Sequence, residues 1–143
     1  MKYEKYIVTE PKPNETTEFV ENMPPPDVRQ RVLYLDDEVV KGAFYVATTW
    51  FWKETGLKVV QPHSHDFDEV LAFFGTNPDD IHDLGGEVEL WLEDEQYLIT
   101  KSFMAFIPKG LKHCPLRVVR CDRPIFHFTT GPGSMYGGEQ KQA

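Results

Sequence analysis

Apolar and polar residues alternate with a period of two along most of this 143-residue chain, and no long stretch repeats with the period of a helix. Period-two segments that are rich in β-branched and aromatic residues and bounded by turn residues are typical of strands. Turn signals recur roughly every ten residues, which indicates a single all-β domain built as a sandwich or a barrel. The predicted strands cover residues 6–8, 31–35, 42–50, 57–60, 69–74, 87–92, 96–100, 102–107, 113–120 and 124–129.

Composition changes along the chain predict three segments. Residues 1–35 are polar and contain the run Pro24-Pro25-Pro26, which favours an extended arm over a helix or a central strand. Residues 36–130 carry the alternating pattern of the β-barrel, which is interrupted by a long turn-rich loop at 76–86. Residues 131–143 are rich in glycine and are expected to form a flexible tail.

Three consecutive aromatic residues, Trp50-Phe51-Trp52, cannot all enter one core. Neighbouring strand residues point to opposite faces, so at least one of these rings must face away from its own core. A monomer seldom exposes such a cluster. Together with the proline-rich arm, the triplet predicts a homodimer.

Charge and composition narrow the classes of partner. A formal net charge of -8 with scattered basic residues argues against nucleic acid, because phosphate binding requires a basic surface. No apolar run reaches the length of a membrane span and the N-terminus has no apolar secretory region, so we expect a cytoplasmic protein without a membrane partner. Cys114 and Cys121 are expected to be reduced thiols. Cys114 is either a nucleophile beside His113 or, as we favour, a small core residue.

The segment from Pro62 to Phe74 holds the strongest candidate chemistry. His63, His65 and Glu69 share parity along an extended chain, so they are expected to point the same way. Two neutral imidazoles and a carboxylate that converge on one point suit a divalent metal ion. His-x-His alone is weak support, because most histidines are solvated or hydrogen-bonded, and the case needs a fourth ligand.

Two motifs resemble those of the cupin superfamily. The first places Gly56 before His63, His65 and Glu69 and places Gly75 after them. The second contains Pro108, Gly110 and His113 at the start of a later strand, with Ser102 where its first glycine belongs and Arg117 where its asparagine belongs. The resemblance extends over about residues 40–130.

This resemblance implies a jelly-roll barrel in which His63, His65, Glu69 and His113 hold one divalent transition metal per chain. Fe or Mn is favoured by the three-nitrogen, one-oxygen set, and Ni, Co and Zn also suit it. Two open positions would admit a small-molecule substrate with or without dioxygen. A dioxygenase-type oxidoreductase is the leading prediction; an isomerase or lyase and a non-catalytic small-molecule-binding protein are the alternatives, since the fold hosts many functions.

Other candidate pocket residues each have more than one interpretation. His127 is either a pocket acid–base group, a hydrogen-bond donor behind the metal ligands or a core residue. Arg117 would clamp a substrate carboxylate if it points inward, and is otherwise a surface residue. His82 lies in the acidic loop as a lid residue or, as we favour, in a solvated turn. Aromatic side chains expected in the cavity or core are Tyr45, Phe73, Trp91 and Phe106.

Overall fold

The computed structural model describes residues 1–13, 15, 23–56 and 60–132 and the backbone of Gln140–Gln142. Within these residues the chain forms strands and one turn of 3-10 helix at Glu4–Tyr6, which confirms the all-β prediction. The strands are β1 Arg29–Leu35, β2 Tyr45–Phe51, β3 His63–His65, β4 Glu69–Phe74, β5 Asp83–Leu92, β6 Glu95–Lys101, β7 Phe103–Ile107, β8 His113–Cys121, β9 Ile125–Gly131 and β10 Gln140–Gln142.

The strands form two five-stranded antiparallel sheets that pack face to face. The first sheet has the order β1-β2-β9-β4-β7 and the second has the order β10-β3-β8-β5-β6. Strands adjacent in these sheets are mostly distant in sequence, as in a jelly roll, so the predicted architecture is confirmed. The core draws side chains from both sheets: Phe51, Leu71, Phe73, Ile107 and Ile125 from the first, and Leu84, Val88, Leu90 and Val118 from the second.

Strand β2 shows why the period-two pattern was informative. Its residues alternate strictly between buried and partly buried from Tyr45 to Phe51. Phe51 enters the core, whereas Trp50 faces outward and stacks on Trp52 with ring centroids 5.2 Å apart. The same alternation on β7 turns Phe106 outward, where 60% of its surface is exposed. The prediction that Phe106 lines the interior was therefore wrong.

The first strand and the last lie in segments whose sequence suggested looser structure. Strand β1, in the segment predicted to be an extended arm, pairs along its length with β2. Strand β10, in the segment predicted to be a flexible tail, pairs with β3. Residues 14, 16–22, 133–139 and 143, which belong to the same two predictions, lie outside the described part of the chain.

Two predicted elements differ from the structure, and a third lies mostly outside the described residues. Residues 4–6 form a 3-10 turn, so the predicted strand at 6–8 was wrong. Strand β5 begins at Asp83, inside the predicted loop, because Gly85 and Gly86 form an irregular part of the strand rather than a turn. A Cβ on Gly86 would lie 2.2 Å from the carbonyl oxygen of Arg120, so glycine permits close approach of the two strands. Of the predicted strand 57–60, only Val60 is described, where it forms an isolated bridge with Leu116.

The described residues contain no helix long and apolar enough to cross a membrane.

Candidate metal centre

Strands β3, β4 and β8 bring three histidines and one glutamate together inside the barrel. Strand β3 directs His63 and His65 inward, and β4 begins with Glu69 on the same face. His113 opens β8 and pairs with His63 across the two strands. The four side chains are almost completely buried, with residue exposures of 1–3%. The ring centroids of the three imidazoles lie 4.4–5.0 Å apart.

Glu69 lies between two of the imidazoles. Its Oε2 is 3.3 Å from Nε2 of His65, and its Oε1 is 3.4 Å from Nε2 of His113. The phenol of Tyr45 donates a hydrogen bond to Oε2 from the facing end of β2. Burial acts to raise the pKa of Glu69, but the adjacent side chains of His113, His65 and Tyr45 outweigh burial and hold the pKa well below its usual range. The carboxylate is therefore ionised at neutral pH.

Backbone carbonyls fix the orientation of two imidazole rings. Nδ1 of His63 lies 2.7 Å from the carbonyl oxygen of Gln61, and Nδ1 of His113 lies 2.9 Å from that of Leu111. A carbonyl oxygen only accepts, so each Nδ1 carries the hydrogen and each neutral ring keeps its lone pair on Nε2. This arrangement is the one that metal-binding histidines usually adopt.

The lone pairs directed into the cluster face carboxylate oxygens. Nε2 of His113 is buried and has no hydrogen-bond partner among the described residues, although Oε1 of Glu69 lies 3.4 Å away. A neutral imidazole nitrogen and a carboxylate oxygen repel at this distance unless a proton or a metal ion lies between them. Burial is the main reason why the pKa of His63 is lowered to about 4, so protonation there is disfavoured at neutral pH. The residues therefore fit a divalent metal ion.

The ligand atoms fall into two overlapping groups within 4.8 Å. One group consists of His65, Glu69 and His113, and the other consists of His63, His113 and Cys114. Cys114 is 3% exposed, and burial together with the charge of Glu69 raises the pKa of its thiol well above the usual value. A protonated, buried thiol is a poor nucleophile, so its environment favours the core interpretation.

A cavity of about 70 Å³ lies against this cluster and extends toward the first sheet. A second cavity of about 50 Å³ shares Arg29, Val60, Leu116 and His127 with it. The polar side chains that line the first cavity are those of Arg29, Arg31, Tyr34, His63, Glu69, His113, Cys114, His127 and Thr129.

His127 lies on the inner face of β9 and lines this cavity. Its Nδ1 lies 2.9 Å from the carbonyl oxygen of Ala72, and its ring stacks on Phe73 at a centroid distance of 4.0 Å. Burial is the main reason why its pKa is lowered to about 3, and the charges of Arg29 and Arg31 contribute. His127 is thus a neutral imidazole at physiological pH, with its remaining lone pair on Nε2.

Arg117 lines the second cavity together with His127, although the parity that it shares with His113 is interrupted within β8. The pairing of β5 with β8 shifts register between Leu90 and Leu92, and both His113 and Val118 are buried, so the alternation breaks within β8. Nε of Arg117 lies 2.5 Å from Oε2 of Glu89, and Nη1 donates to the carbonyl oxygen of Gly56 at 3.2 Å. These contacts favour an ion pair between Arg117 and Glu89 at the edge of the cavity. A role of Arg117 in substrate binding remains a prediction.

Sequence reasoning missed two cavity residues and the contact that Tyr45 makes with Glu69. Arg29 and Arg31 lie in a segment predicted to be an arm, and Tyr45 was expected only as lining. Arg29 and Arg31 face inward because they pair with Phe51 and Thr49, which are inward-facing residues of β2. The sequence alone does not reveal this pairing. His82 is exposed in its turn, as the solvated alternative predicted.

Comparisons with known proteins concern the fold. No family model and no curated protein matches the chain. The alignment with an oxalate oxidase structure covers 91% of this chain and 62% of the oxalate oxidase chain, with 14% identity and a TM-score of 0.53. The alignment with oxalate oxidase in complex with glycolate covers 86% of this chain and 59% of the oxalate oxidase chain, again with 14% identity and a TM-score of 0.53. A cupin protein from Bacteroides fragilis covers 86% and 89%, with 15% identity and a TM-score of 0.48. This chain thus spans about three-fifths of the length of the oxalate oxidases that it matches.

Proposed function

We propose that this chain, which has the cupin fold, is a metal-dependent enzyme that acts on a small metabolite, with dioxygenase-type oxidation as its leading reaction. One observation carries the proposal. The buried Nε2 of His113, which carries its lone pair because Nδ1 contacts the carbonyl oxygen of Leu111, lies 3.4 Å from one carboxylate oxygen of Glu69, and a cation between them would stabilise this arrangement. The adjoining cavity gives a small molecule access to the same side chains.

His63, His65, Glu69 and His113 would hold one divalent transition metal per chain. Three nitrogens and one oxygen favour Fe or Mn, while Ni, Co and Zn remain compatible with the same donors. When bound, the metal would supply Lewis acidity and, in the case of Fe or Mn, one-electron redox chemistry. Tyr45 would fix the rotamer of Glu69 through its hydrogen bond, and the carbonyls of Gln61 and Leu111 would do the same for two imidazoles.

His127 would position the substrate beside this centre. Because its pKa is low, His127 is unprotonated at neutral pH and Nε2 has no proton to give as a general acid, so we assign it the role of a hydrogen-bond acceptor toward a substrate hydroxyl or amide. The hydrogen bond with the carbonyl oxygen of Ala72 keeps the accepting nitrogen in place. Apolar walls formed by residues such as Leu71 and Leu116 would limit access of water.

The alternatives share the same metal site. An isomerase or a lyase would use the ion only to polarise a substrate oxygen, and Zn or Ni occupancy would favour that chemistry. A non-catalytic module would bind the small molecule without turnover. A cytoplasmic location and the lack of a nucleic-acid or membrane partner remain predictions from the sequence.

Elemental analysis of protein purified without added metal tests the proposal. We expect about one equivalent of Fe or Mn in the wild type and in His82→Ala, because the His82 side chain is exposed. A His63→Ala/His113→Ala double variant should lose it. Oxygen uptake by the metal-loaded protein during a substrate screen would then identify the oxidase chemistry. A chain that takes up no stoichiometric metal, even after reconstitution, would contradict the proposal.

A further inference from the structure

Two arginines of β1 face into the cavity beside the candidate metal centre. Arg29 pairs with Phe51 and Arg31 pairs with Thr49, and both partners point into the barrel. The two arginines are partly buried and line the same cavity as Glu69 and His127. An arginine on the inner face of a small barrel is unusual, because removing a guanidinium from water is costly.

The lining of this cavity differs in charge from the protein as a whole. Glu69 is the only carboxylate among the described residues that line it, two guanidiniums are present, and Glu15 pairs with one of them from outside the lining. The chain as a whole carries a formal net charge of -8. A divalent ion on the histidines and Glu69 would make the lining more positive still. An acidic protein that concentrates positive charge at one internal position has built a local site for an anion.

The two arginines differ in how they are held. Nε of Arg31 lies 2.9 Å from Oε2 of Glu15, and Nη1 lies 2.5 Å from Oγ1 of Thr49, so its guanidinium is fixed in place. Nη1 of Arg29 lies 3.2 Å from Sδ of Met23, which is one of the contacts that this side chain makes. Arg29 lines both cavities, whereas Arg31 lines only the first of the two.

We propose that Arg29, supported by Arg31, binds the carboxylate of a small organic acid in this cavity. This proposal deepens the proposed function by naming the substrate class of the same site. A planar guanidinium fork matches a carboxylate through two parallel hydrogen bonds, which favours a planar acid over a tetrahedral anion. The cavity volume of about 70 Å³ limits the ligand to a small acid. His127 lines the same cavity, and its accepting nitrogen would be a partner for a hydroxyl group of the acid.

Binding of malonate, malonamide and inorganic phosphate tests this proposal, measured by calorimetry and by the shift in Tm. Each titration is carried out on metal-stripped and on Mn(II)-loaded protein. We expect malonate to bind and to raise Tm by mass action, while uncharged malonamide and phosphate bind at least tenfold more weakly. Arg29→Gln should weaken malonate binding at least tenfold, Arg31→Gln should weaken it less, and Arg29→Lys should restore part of it.

Arg123→Gln is the matched control, since Arg123 is exposed and lies away from the cavity lining. The Tm of each variant without ligand establishes that it folds. Equal malonate binding by the wild type and Arg29→Gln, or no malonate binding in either metal state, would overturn the proposal. Phosphate binding as tight as that of malonate would overturn its carboxylate class. Because the metal content is measured separately, a failed anion site leaves the metal proposal standing, and the reverse also holds.

A separate observation concerns the outward face of the first sheet. Its cross-strand rows contain no charged side chain among the paired residues. The rows are Leu35–Val46–Thr130–Val70–Phe106, Leu33–Thr48–Phe128–Ala72–Met104 and Gln30–Trp50–Phe126–Phe74. Met104 and Phe106 are 68% and 60% exposed. In a chain with 27% charged residues, an uncharged apolar face of this extent indicates an interface.

We infer that this face binds a second copy of the chain. Five strands about 4.8 Å apart and three rows about 7 Å apart cover roughly 500 Å². Tyr6 and Val8 of the N-terminal segment border Leu33 and Val46 and would form part of the same surface. Two copies would therefore bury about 1,000 Å², the lower limit for a specific interface. A flat face without charges offers no pattern to select a different partner, whereas a two-fold axis makes it complementary to itself.

Analytical ultracentrifugation tests the dimer. Phe106→Glu should convert it to a monomer of 16.6 kDa. Leu98→Glu is the matched control, because Leu98 is 57% exposed but lies on β6 of the second sheet, and it should remain dimeric. A monomeric wild type, or dissociation by Leu98→Glu and not by Phe106→Glu, would contradict the inference.

Discussion

The two ends of the barrel interior are built on opposite principles. At one end, Tyr45, Glu69 and His113 place ionisable groups out of water. At the other, Phe51, Leu84 and Ile125 pack without polar atoms in their side chains. Burial at the apolar end stabilises the fold whether or not a cation is present. At the polar end, only hydrogen bonds and a bound cation offset the cost of removing the polar groups from water. Stability and chemistry are thus assigned to different ends of the same strands, since β2 and β4 each run from one end to the other.

The largest effect on stability is expected from a cavity-forming substitution at the apolar end. Leu84 is fully buried, and Leu84→Ala leaves a cavity that should lower the free energy of unfolding by about 2–5 kcal/mol. Urea denaturation of metal-stripped protein measures this loss. Metal stoichiometry should stay at the wild-type value, and a simultaneous loss of metal would mean that the two ends are not independent.

Removal of the metal should destabilise only the polar end of the interior. With free metal at a hundredfold excess over its Kd, chelation is expected to lower the free energy of unfolding by about 2.7 kcal/mol. Glu69→Gln keeps the side-chain shape but removes the charge, so its Tm should not respond to the chelator. Thermal unfolding with and without EDTA provides the measurement. A chelator response of Glu69→Gln that equals the wild type would exclude Glu69 as a ligand.

Acid should destabilise the protein through His127, whereas the apolar end of the interior has no group that titrates. An unfolded imidazole takes up its proton near pH 6.5, whereas burial lowers the pKa of folded His127 to about 3. The unfolded state therefore binds the proton first, and the free energy of unfolding falls as the pH drops below 6.5. The slope from this residue should be about 1.4 kcal/mol per pH unit between pH 6 and 4, with no contribution above pH 7. His127→Gln, compared with His82→Ala, should reduce the slope by this amount in denaturation at fixed pH values.

The smallest effect is expected from Tyr45→Phe. This change removes the hydrogen bond to Glu69 and keeps the ring. Metal affinity should fall about tenfold, and the free energy of unfolding of metal-stripped protein by about 1 kcal/mol. Competition with a chromogenic chelator measures the affinity. Unchanged affinity would show that the carbonyl contacts alone suffice to orient the site.

Much of this interior could be predicted from the sequence, because burial imposes a period of two on strands. His63, His65, Glu69 and Phe73 keep one parity through the bend between β3 and β4, and all four are buried. The same rule is less informative for Arg117, because the register shift between β5 and β8 interrupts the alternation and leaves no mark in the local sequence.

The arginines of β1 show a different limit. A proline-rich stretch precedes Arg29, and local composition predicted an arm rather than a strand. Only pairing with β2 decides that Arg29 and Arg31 face inward, and pairing is a property of the whole chain. Likewise, Gly85 and Gly86 indicated a turn by composition but serve the close contact of two strands.

The pairing of His63 with His113 also determines when the centre forms during folding. The segments that carry Glu69 and His113 are separated by three further strands, β5, β6 and β7, so the cluster is complete only after both sheets have closed. Contacts of such long sequence separation form slowly, late in the search for the native topology. A cation that binds here would add interactions that the folding transition state lacks. It would therefore slow unfolding rather than accelerate folding, and metal supply would determine the lifetime of the native protein more than its rate of formation.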